Sequence, residues 1–316
     1  MKPTFLIPIE EVLVEPVKYY YDMNGKNIRK KICTVLGKHF NIPQEDIENI
    51  NNLLNVLHNA SLVIDDIQDD SLLRRNKECA HKVYGIPLSL NAGYLTVFKI
   101  LHEMNKNESF GNKLKHKIVE NIYLSHIGQG MDIYYTKNKI IPTLDEYYKM
   151  IHYKTGMIFL TTVDLLQEKN NEINYPKFYE IFLKFSYFYQ IRDDYINLTD
   201  ADYWKEKGFC QDVDEQKISF LITFAYNNKL KKYKTILELL KAKEKRKLVL
   251  LFYKNGLFDQ IYNLLIDLKK EIVLLSENHL SFIFDDLAIK PFDINSFELF
   301  LTNDASLNSL ASSPQK

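Results

Sequence analysis

Apolar residues recur along most of the chain at intervals of three or four positions, which is the spacing of one face of an α-helix. The clearest example runs from Asp46 to about Ile67, and its apolar positions include Ile47, Ile50, Leu54, Leu57, Leu62 and Ile64. Comparable patterns predict helices over 17–40, 87–104, 111–135, 143–168, 176–198, 215–228, 231–252, 256–276 and 291–302. No segment predicts a convincing β-strand.

Turn-forming residues separate the predicted helices, as in Gly85-Ile-Pro87 and Asn105-Lys-Asn107. No repeat and no low-complexity linker divides the chain. Many helices joined by short connections predict one all-α domain, a bundle of ten or more helices. We expect this domain to span 16–303, after a loose lead-in at 1–15 and before a flexible tail at 304–316.

The overall charge of the chain gives no sign of a highly charged partner. Acidic and basic residues number 41 each, so no net field draws the chain to nucleic acid or to a membrane surface. The three cysteines are far apart and lack metal-site spacing, so we expect reduced thiols. No signal peptide is recognisable, and no apolar run approaches the ~20 residues that span a bilayer. These features predict a cytoplasmic protein without a membrane span or a nucleic-acid partner.

The stretch LVIDDIQDDSLLRRN, at 62–76, places four aspartates near the end of a predicted helix. Asp65 and Asp69 share one helix face, and Asp66 and Asp70 form a second pair beside them. Like charges at this spacing repel, which favours a positive partner unless the segment is simply a solvated acidic helix end. Neither His nor Cys is nearby to suggest zinc, whereas Mg²⁺ prefers carboxylates, waters and substrate phosphates.

Two arginines and a second acidic cluster strengthen the metal interpretation. Arg74 and Arg75 follow the first aspartates, and guanidinium groups pair bidentately with phosphate oxygens. The stretch FYQIRDDYINL carries Asp193, Asp194 and Asn197 at the spacing of the first cluster. Two such clusters on facing helices predict a site for a metal–diphosphate complex.

Seven stretches together resemble the trans-isoprenyl diphosphate synthases, and most closely the eukaryotic geranylgeranyl diphosphate synthases. They cover about residues 15–220 in the family's order and read EPVKYYYDMNGKNIRKKI, LHNASLVIDDIQDDSLLRRN, YGIP, HIGQGMDIYY, YKTG, FYQIRDDYINL and KGFCQDVDEQKISF. The double aspartate motif with its arginine pair is highly specific, whereas the smaller pieces are weak alone. The resemblance implies an isoprenoid synthase fold around a central cavity, assembled as a homodimer or a higher homo-oligomer.

The resemblance also implies roles for individual residues. Two to three Mg²⁺ ions would be bound by Asp65, Asp66, Asp69, Asp193 and Asp194. The diphosphate of the allylic substrate would be gripped by Arg74, Lys154 and Lys207, with Lys217 nearby. The diphosphate of isopentenyl diphosphate would be bound by Lys26, Arg29, His58 and Arg75. The reacting carbons would lie beside Thr155 and Gln190.

Residues one helical turn before Asp65 bear on product length. Ala60 and Ser61 are both small, which leaves room for a prenyl tail longer than fifteen carbons. Val97 and Phe98 complete the predicted chain-length pocket, and we expect a twenty-carbon product.

A few positions depart from the usual family pattern. Asn76 replaces a Gly after the arginine pair, and Met157 replaces the second Gly of KTGG. Gln216 stands in a segment that is usually EGK, while Leu95 and Val97 replace an aromatic pair. None of these changes removes a metal or diphosphate ligand. They flank the substrate cavity in the family, so they are compatible with a diverged paralogue of altered product.

Two further patterns have structural interpretations. Gly128 and Gly130 in HIGQGMD are expected to allow close helix packing, because no strand precedes them as a nucleotide-binding loop requires. The stripe of Tyr and Phe at 182–189 is expected to be core rather than a wall that stabilises a cation.

The predicted reaction is the head-to-tail 1′-4 condensation of isopentenyl diphosphate with an allylic diphosphate, ionised with Mg²⁺, to give geranylgeranyl diphosphate. One alternative is a terpene synthase derived from this family, which ionises a prenyl diphosphate to a hydrocarbon or alcohol. Such an enzyme does not need the pocket for a second diphosphate, so the four residues assigned to that pocket favour condensation. Another alternative, a non-catalytic partner subunit, is disfavoured because both aspartate motifs are kept.

Overall fold

The structure is a computed structural model, and it describes residues 9–21, 23, 25–107, 111–228 and 233–303. Within these ranges the chain is almost entirely helical, which confirms the predicted all-α fold. Two short helices, Ile9–Leu13 and Glu15–Lys18, begin within the predicted lead-in at 1–15, and the division of the chain stays a prediction. The predicted tail at 304–316 lies outside the described residues.

The helices follow one another through short connections. Their bounds are α1 Ile9–Leu13, α2 Glu15–Lys18, α3 Ile28–His39, α4 Gln44–Gln68, α5 Ala80–Val83, α6 Ile86–Lys106, α7 Asn112–Asn138, α8 Leu144–Ile151, α9 Met157–Lys169, α10 Tyr175–Thr199, α11 Ala201–Lys207, α12 Gln211–Asp214, α13 Phe220–Asn227, α14 Tyr233–Lys241, α15 Lys245–Lys254, α16 Leu257–Leu275, α17 Ile283–Asp286 and α18 Ile294–Asn303. A π-helical turn, His152–Gly156, joins α8 to α9.

One short β-hairpin interrupts the helices, and the sequence did not predict it. Strands β1 (Leu73–Arg74) and β2 (Lys77–Glu78) pair antiparallel. Between them Arg75 and Asn76 both have positive φ, at 52° and 64°, as a two-residue hairpin turn requires. Asn tolerates this conformation better than most residues. Strands of two residues are too short to show any alternation of apolar and polar positions.

The core centres on α10, which packs against α9, α16 and the π-helical turn. Asn174 caps its first turn by accepting a hydrogen bond from the backbone N–H of Lys177 at 3.2 Å. The side chains of Phe182, Phe185 and Phe188 are completely buried there, which confirms this part of the aromatic stripe as core. A smaller apolar cluster lies where α4 meets α2, α5 and α6, and it contains Ala60 and Val97.

Predicted helix 215–228 begins too early, because α13 starts only at Phe220. The preceding residues form an irregular loop in which Gln216 has a positive φ of 54°. No helix among the described residues combines the length and the apolar character needed to cross a bilayer.

Candidate active site

The first aspartate cluster lies at the C-terminal end of α4. The Asp66 side chain is completely buried, and it accepts hydrogen bonds from the Tyr20 hydroxyl and from both Nε and Nη2 of Arg74. Asp65 is more open. Its Oδ1 accepts from Nε2 of Gln129 at 3.0 Å, and its Oδ2 lies 3.4 Å from Nη2 of Arg74.

The charge on this cluster is only partly neutralised. Burial and the nearby Asp65 carboxylate raise the pKa of Asp69 to about 7, against the opposing effect of Lys154 and Lys217. Burial is the larger cause of this rise, and repulsion between the two ionised carboxylates adds to it. A bound cation would relieve that repulsion, so Asp65 and Asp69 suit a metal.

The second cluster lies on α10 and has the same plan. The Asp194 side chain is completely buried and accepts three hydrogen bonds, from Tyr147 Oη at 2.6 Å, the Phe220 N–H at 2.7 Å and Gln190 Nε2 at 3.0 Å. These bonds tie α10 to α8 and to the start of α13.

Asp193 is the more open carboxylate of the second cluster. Its Oδ1 accepts from the Tyr203 hydroxyl at 2.8 Å, and its Oδ2 lies 3.7 Å from Nζ of Lys207. Burial works against ionisation, but the charges of Lys207 and Lys217 and the Tyr203 hydrogen bond outweigh it and lower the pKa of Asp193 to about 2. This carboxylate is therefore ionised at neutral pH.

In each cluster, then, the first aspartate is accessible and the second is a buried anchor. The sequence predicted all five aspartates as metal ligands without this distinction. Asp66 and Asp194 are buried and use their oxygens within the protein, whereas Asp65, Asp69 and Asp193 are partly exposed.

Asn197, the last residue of the second motif, has a structural role. It is almost fully buried, and its side-chain oxygen accepts a hydrogen bond from the Asp212 N–H at 3.2 Å. Its backbone oxygen accepts from Nε1 of Trp204 at 2.7 Å. Asn197 thus holds the α11–α12 segment against α10.

Lys154, on the π-helical turn, lies close to the first cluster. Its Nζ is 2.6 Å from Oδ2 of Asp132 and 3.8 Å from Oδ1 of Asp65. Burial disfavours the charged lysine, but Asp132, Asp65 and Asp69 outweigh it and raise the pKa of Lys154. π-helical turns are frequent at functional sites, and this one directs Lys154 to Asp132 on α7 and Thr155 to Gln190 on α10.

Asp132 and Gln129 are site residues that the sequence reasoning missed. Both lie in the quoted stretch HIGQGMDIYY on α7, but nothing in a single helix shows which residues of another helix it will face. Burial would raise the pKa of Asp132, and the charges of Lys154 and Lys217 lower it instead. The only signal in the sequence was the position of Asp132, three residues after Gln129 within a stretch that resembles the family.

The approach of α7 to the π-helical turn depends on Gly128. A Cβ atom at this position would lie 2.2 Å from the Lys154 backbone N and 2.7 Å from the Tyr153 carbonyl carbon. Both contacts are with backbone, which cannot move aside cheaply. The prediction that Gly128 permits close packing is confirmed, whereas Gly130 meets no atom within 4 Å and is not needed for it.

Thr155 and Gln190 are brought together as predicted. The Thr155 hydroxyl donates a hydrogen bond to Oε1 of Gln190 at 2.9 Å. Nε2 of Gln190 in turn donates a hydrogen bond to Oδ1 of Asp194. The orientation of both polar side chains is therefore linked to the buried anchor of the second cluster.

Two lysines flank the second cluster. Lys207 lies beside Asp193. Nζ of Lys217 lies 3.5 Å from Oδ1 of Asp194 and 4.0 Å from Oδ2 of Asp212. Burial disfavours the charge on Lys217, but Asp212, Asp194 and Asp132 outweigh it and raise the pKa of Lys217. Lys217 therefore remains cationic and available to an anion.

A separate basic pocket contains Arg29, His58 and Arg75. Burial and the charges of Arg29, Arg75 and Arg74 lower the pKa of His58 well below its ordinary value. Burial and the charge of Arg75 lower the pKa of Arg29 to about 10. Among the described residues, no carboxylate forms a salt bridge with Arg29 or Arg75, and Nη1 of Arg75 donates to the Met23 carbonyl at 2.8 Å. Lys26 is exposed, two residues before α3 begins.

The chain-length residues do not form one pocket in the single chain. Ala60 and Val97 are buried together in the smaller apolar cluster. Ser61 is exposed and donates to the His58 carbonyl at 2.8 Å, and Phe98 is 64% exposed. The assignment of all four residues to the chain-length pocket stays a prediction, and Phe98 lies at the surface of the single chain.

An apolar cleft of about 610 Å³ lies further along the same helices. Its apolar walls are Ile50, Leu53, Val56, Ile100, Met104 and Leu165, from α4, α6 and α9. Val56 lies nine residues before Asp65, which is about 13 Å along the helix axis.

The donor atoms of the two clusters suit a hard divalent cation. Asp65, Asp69 and Asp193 offer carboxylate oxygens only, which is the ligand type that Mg²⁺ takes. In the part of the chain that the structure describes, no three acidic, His or Cys side chains converge into a complete metal site. Mg²⁺ commonly uses one or two carboxylates and completes its shell with waters and substrate phosphates, so the residues present fit it.

An all-α bundle with two aspartate-rich helix turns, each beside lysines or arginines, defines a helical isoprenoid synthase. The chain belongs to the polyprenyl synthetase family, whose model matches residues 10–253. This match confirms the resemblance to the trans-isoprenyl diphosphate synthases.

Individual members of this family show which of its enzymes the chain is similar to. A geranylgeranyl pyrophosphate synthase of Dictyostelium discoideum is 37% identical over 217 residues, which cover 68% of this chain and 70% of that protein. One of Mucor circinelloides f. lusitanicus is 35% identical over the same shares of both chains. Sesterterpene synthase btcA of Neocamarosporium betae is 28% identical over 82% of this chain, but only 37% of that protein is covered.

Proposed function

We propose that this protein is a trans-prenyltransferase that condenses isopentenyl diphosphate with an allylic diphosphate to give geranylgeranyl diphosphate. The observation that carries the proposal is the presence of two separate cationic places. Arg74, Lys154 and the second-cluster lysines lie beside the carboxylates, whereas Arg29, His58 and Arg75 form the basic pocket. A condensation needs to hold two diphosphates, and an ionisation without condensation needs only one.

The proposed metal ligands are Asp65, Asp69 and Asp193, with Asp66 and Asp194 fixing the two helix turns. Mg²⁺, when bound there, would neutralise the charge that develops on the leaving diphosphate. Arg74 and Lys154 supply further positive charge beside the first cluster, and Lys207 and Lys217 do so beside the second. The pKa values of Arg74, Lys154 and Lys217 are all raised by the carboxylates beside them, so these three groups are cationic and would stabilise the departing diphosphate without any proton transfer.

Thr155 and Gln190 are proposed to lie beside the reacting carbons, because their mutual hydrogen bond fixes a pair of dipoles next to Asp194. The double bond of isopentenyl diphosphate would attack the allylic cation, and the departed diphosphate would accept the proton that is lost. Buried aromatic side chains behind the site, including Phe185, exclude water that would trap the cation.

The basic pocket yields the most direct test of condensation against the terpene synthase alternative. Replacing Arg29 with Gln should raise the KM for isopentenyl diphosphate about 10- to 100-fold, because charged hydrogen bonds contribute about 1.5–3 kcal/mol. The KM for the allylic substrate should change little. The neighbouring exposed Lys30 serves as a control, since Lys30→Gln removes the same charge outside the pocket. The measurement is steady-state kinetics with each substrate varied in turn. Equal KM values for isopentenyl diphosphate in Arg29→Gln and Lys30→Gln would contradict the proposal.

The tail of the growing product is proposed to run from Asp65 along α4 towards the apolar cleft. Ser61 lies one turn before Asp65 on the same helix face and is exposed, so it tolerates a larger residue. Replacing Ser61 with Phe should shorten the main product from twenty to fifteen carbons. Asn52→Phe, exposed on another side of α4, should leave the product unchanged. Mass spectrometry of the dephosphorylated products would refute the proposed path if both variants made the same chain.

A homo-oligomer is proposed from an apolar stripe on the surface of α6 and α7. Leu90, Tyr94 and Phe98 recur every four residues on α6, and Tyr123 and Ile127 do the same on α7, all of them exposed. Such a continuous apolar face is typical of a subunit interface. Light scattering of the purified protein measures its mass directly, and a monomeric mass at working concentration would overturn this assignment.

A further inference from the structure

The loop that carries Lys217 has little structure of its own. It runs from Glu215 to Ser219 between α12 and α13 without forming helix or strand. Lys217 nevertheless holds a defined place near Asp194 and Asp212, with only a small part of its side chain exposed. The N–H of Lys217 donates to the Asp212 carbonyl of α12 at 2.8 Å, and contacts from more distant elements hold the residues on either side.

Two of these contacts come from the end of α7. Nζ of Lys139, the residue that follows α7, donates to the backbone carbonyl of Gln216 at 2.9 Å. The backbone N–H of Ile218 donates to the Thr136 hydroxyl at 3.3 Å. These bonds fall on the residues directly before and after Lys217, so they fix its backbone on both sides.

A third contact joins the loop to α14. Nε2 of Gln216 donates to the backbone carbonyl of Lys241 at 3.3 Å. Lys241 is the last residue of α14, where helix carbonyls lack partners within the helix. Gln216 thus links α7 and α14 through its carbonyl and its side chain at once.

Gln216 and Lys139 each follow the end of a helix, α12 and α7 respectively. Gln216 and Lys139 both adopt the left-handed conformation, with φ of 54°, which residues with a Cβ rarely occupy. Burial and the charges of Lys241 and Lys243 lower the pKa of Lys139, so this lysine is kept beside like charges. The Lys217 N–H donates to the Asp212 carbonyl at 2.8 Å and the Ile140 N–H donates to the Tyr135 carbonyl at 3.0 Å, so both left-handed residues belong to ordinary helix-ending turns.

We propose that Gln216 is a positioning residue, which clamps the loop between α7 and α14 so that Lys217 points at the second aspartate cluster. The proposal rests on the proposed function, because it assigns Lys217 to the diphosphate of the allylic substrate. It goes further in giving α14, which carries none of the diphosphate ligands, a part in binding that substrate.

The test compares Gln216→Gly, Gln216→Ala and Lys139→Met with the exposed control Lys243→Met. Each of the first three should raise the KM for the allylic diphosphate about three- to tenfold, as expected for one lost hydrogen bond, with the KM for isopentenyl diphosphate unchanged. Gln216→Gly also relieves the left-handed strain, so its melting temperature should equal or exceed that of Gln216→Ala. A rise in KM together with undiminished stability is not expected from a purely structural residue.

Lys217→Ala separates the clamp from the proposed function. If Lys217→Ala raises the allylic KM while Gln216→Gly and Lys139→Met leave it within twofold of wild type, the clamp is wrong. If Lys217→Ala itself has no effect, the assignment of Lys217 to the diphosphate fails, and with it the reason for the clamp. A fall in melting temperature with unchanged KM in the Gln216 variants would also overturn the positioning role.

Discussion

Replacing Asp65 or Asp193 with Asn should lower turnover by at least about a thousandfold, because each removes a carboxylate that faces the proposed metal–diphosphate complex. Neither change should destabilise the fold much, since both side chains are partly accessible. Replacing the buried Asp66 with Asn should instead lower the melting temperature, because it removes the carboxylate that the Arg74 guanidinium contacts most closely. Rate assays and thermal unfolding of the same preparations distinguish the accessible residues from the anchor.

Asp70 provides the matched control for these changes. It belongs to the same acidic stretch, but its side chain is highly exposed and pairs with Lys82 at 2.9 Å on the surface. Asp70→Asn should therefore keep the wild-type rate within about twofold, since surface ion pairs contribute little. Equal losses in Asp65→Asn and Asp70→Asn would mean that the acidic stretch acts through overall charge and not as a ligand site.

Replacing Gly128 with Ala is expected to damage both stability and activity. The added methyl would overlap the backbone of the π-helical turn, and overpacking of this kind costs about 1–3 kcal/mol. The turn must move to make room, which displaces Lys154 and Thr155 from the first cluster. A displacement of about 1 Å is enough to lower kcat about a hundredfold.

The control for this prediction lies two residues along the same helix. A Cβ at Gly130 meets no atom within 4 Å, so Gly130→Ala should fold normally and gain up to about 1 kcal/mol from improved helix propensity. Melting temperatures and kcat of the two variants form the comparison. If Gly128→Ala behaved like Gly130→Ala, close packing of α7 on the turn could not be what positions Lys154.

The long helices could be predicted from the sequence because their apolar residues recur at helical spacing and turn-forming residues mark where the helices begin or end. Helices α4 and α10 follow their predicted ranges closely, and both carry the aspartates that suggested the site. The hairpin at 73–78 was not accessible, since its strands are only two residues long. Its turn is what separates Arg74, which faces Asp66, from Arg75, which faces the basic pocket.

The sequence also did not show which aspartate of each adjacent pair is buried and which is accessible. Asp65 and Asp66 are adjacent and chemically identical, but neighbouring residues on an α-helix point about 100° apart, so they meet different surroundings. Which of them is buried depends on Tyr20 and Arg74, which reach Asp66 from other parts of the fold. Tertiary contacts of this kind leave no trace in local spacing.

The central claim is that the two clusters and the basic pocket serve one condensation. The most direct test incubates the purified protein with Mg²⁺, isopentenyl diphosphate and each allylic diphosphate in turn, and analyses the products by mass spectrometry before and after phosphatase treatment. The account predicts a twenty-carbon diphosphate that forms only when Mg²⁺ and both substrates are present. A hydrocarbon or alcohol released without isopentenyl diphosphate would contradict it and would establish the terpene synthase alternative.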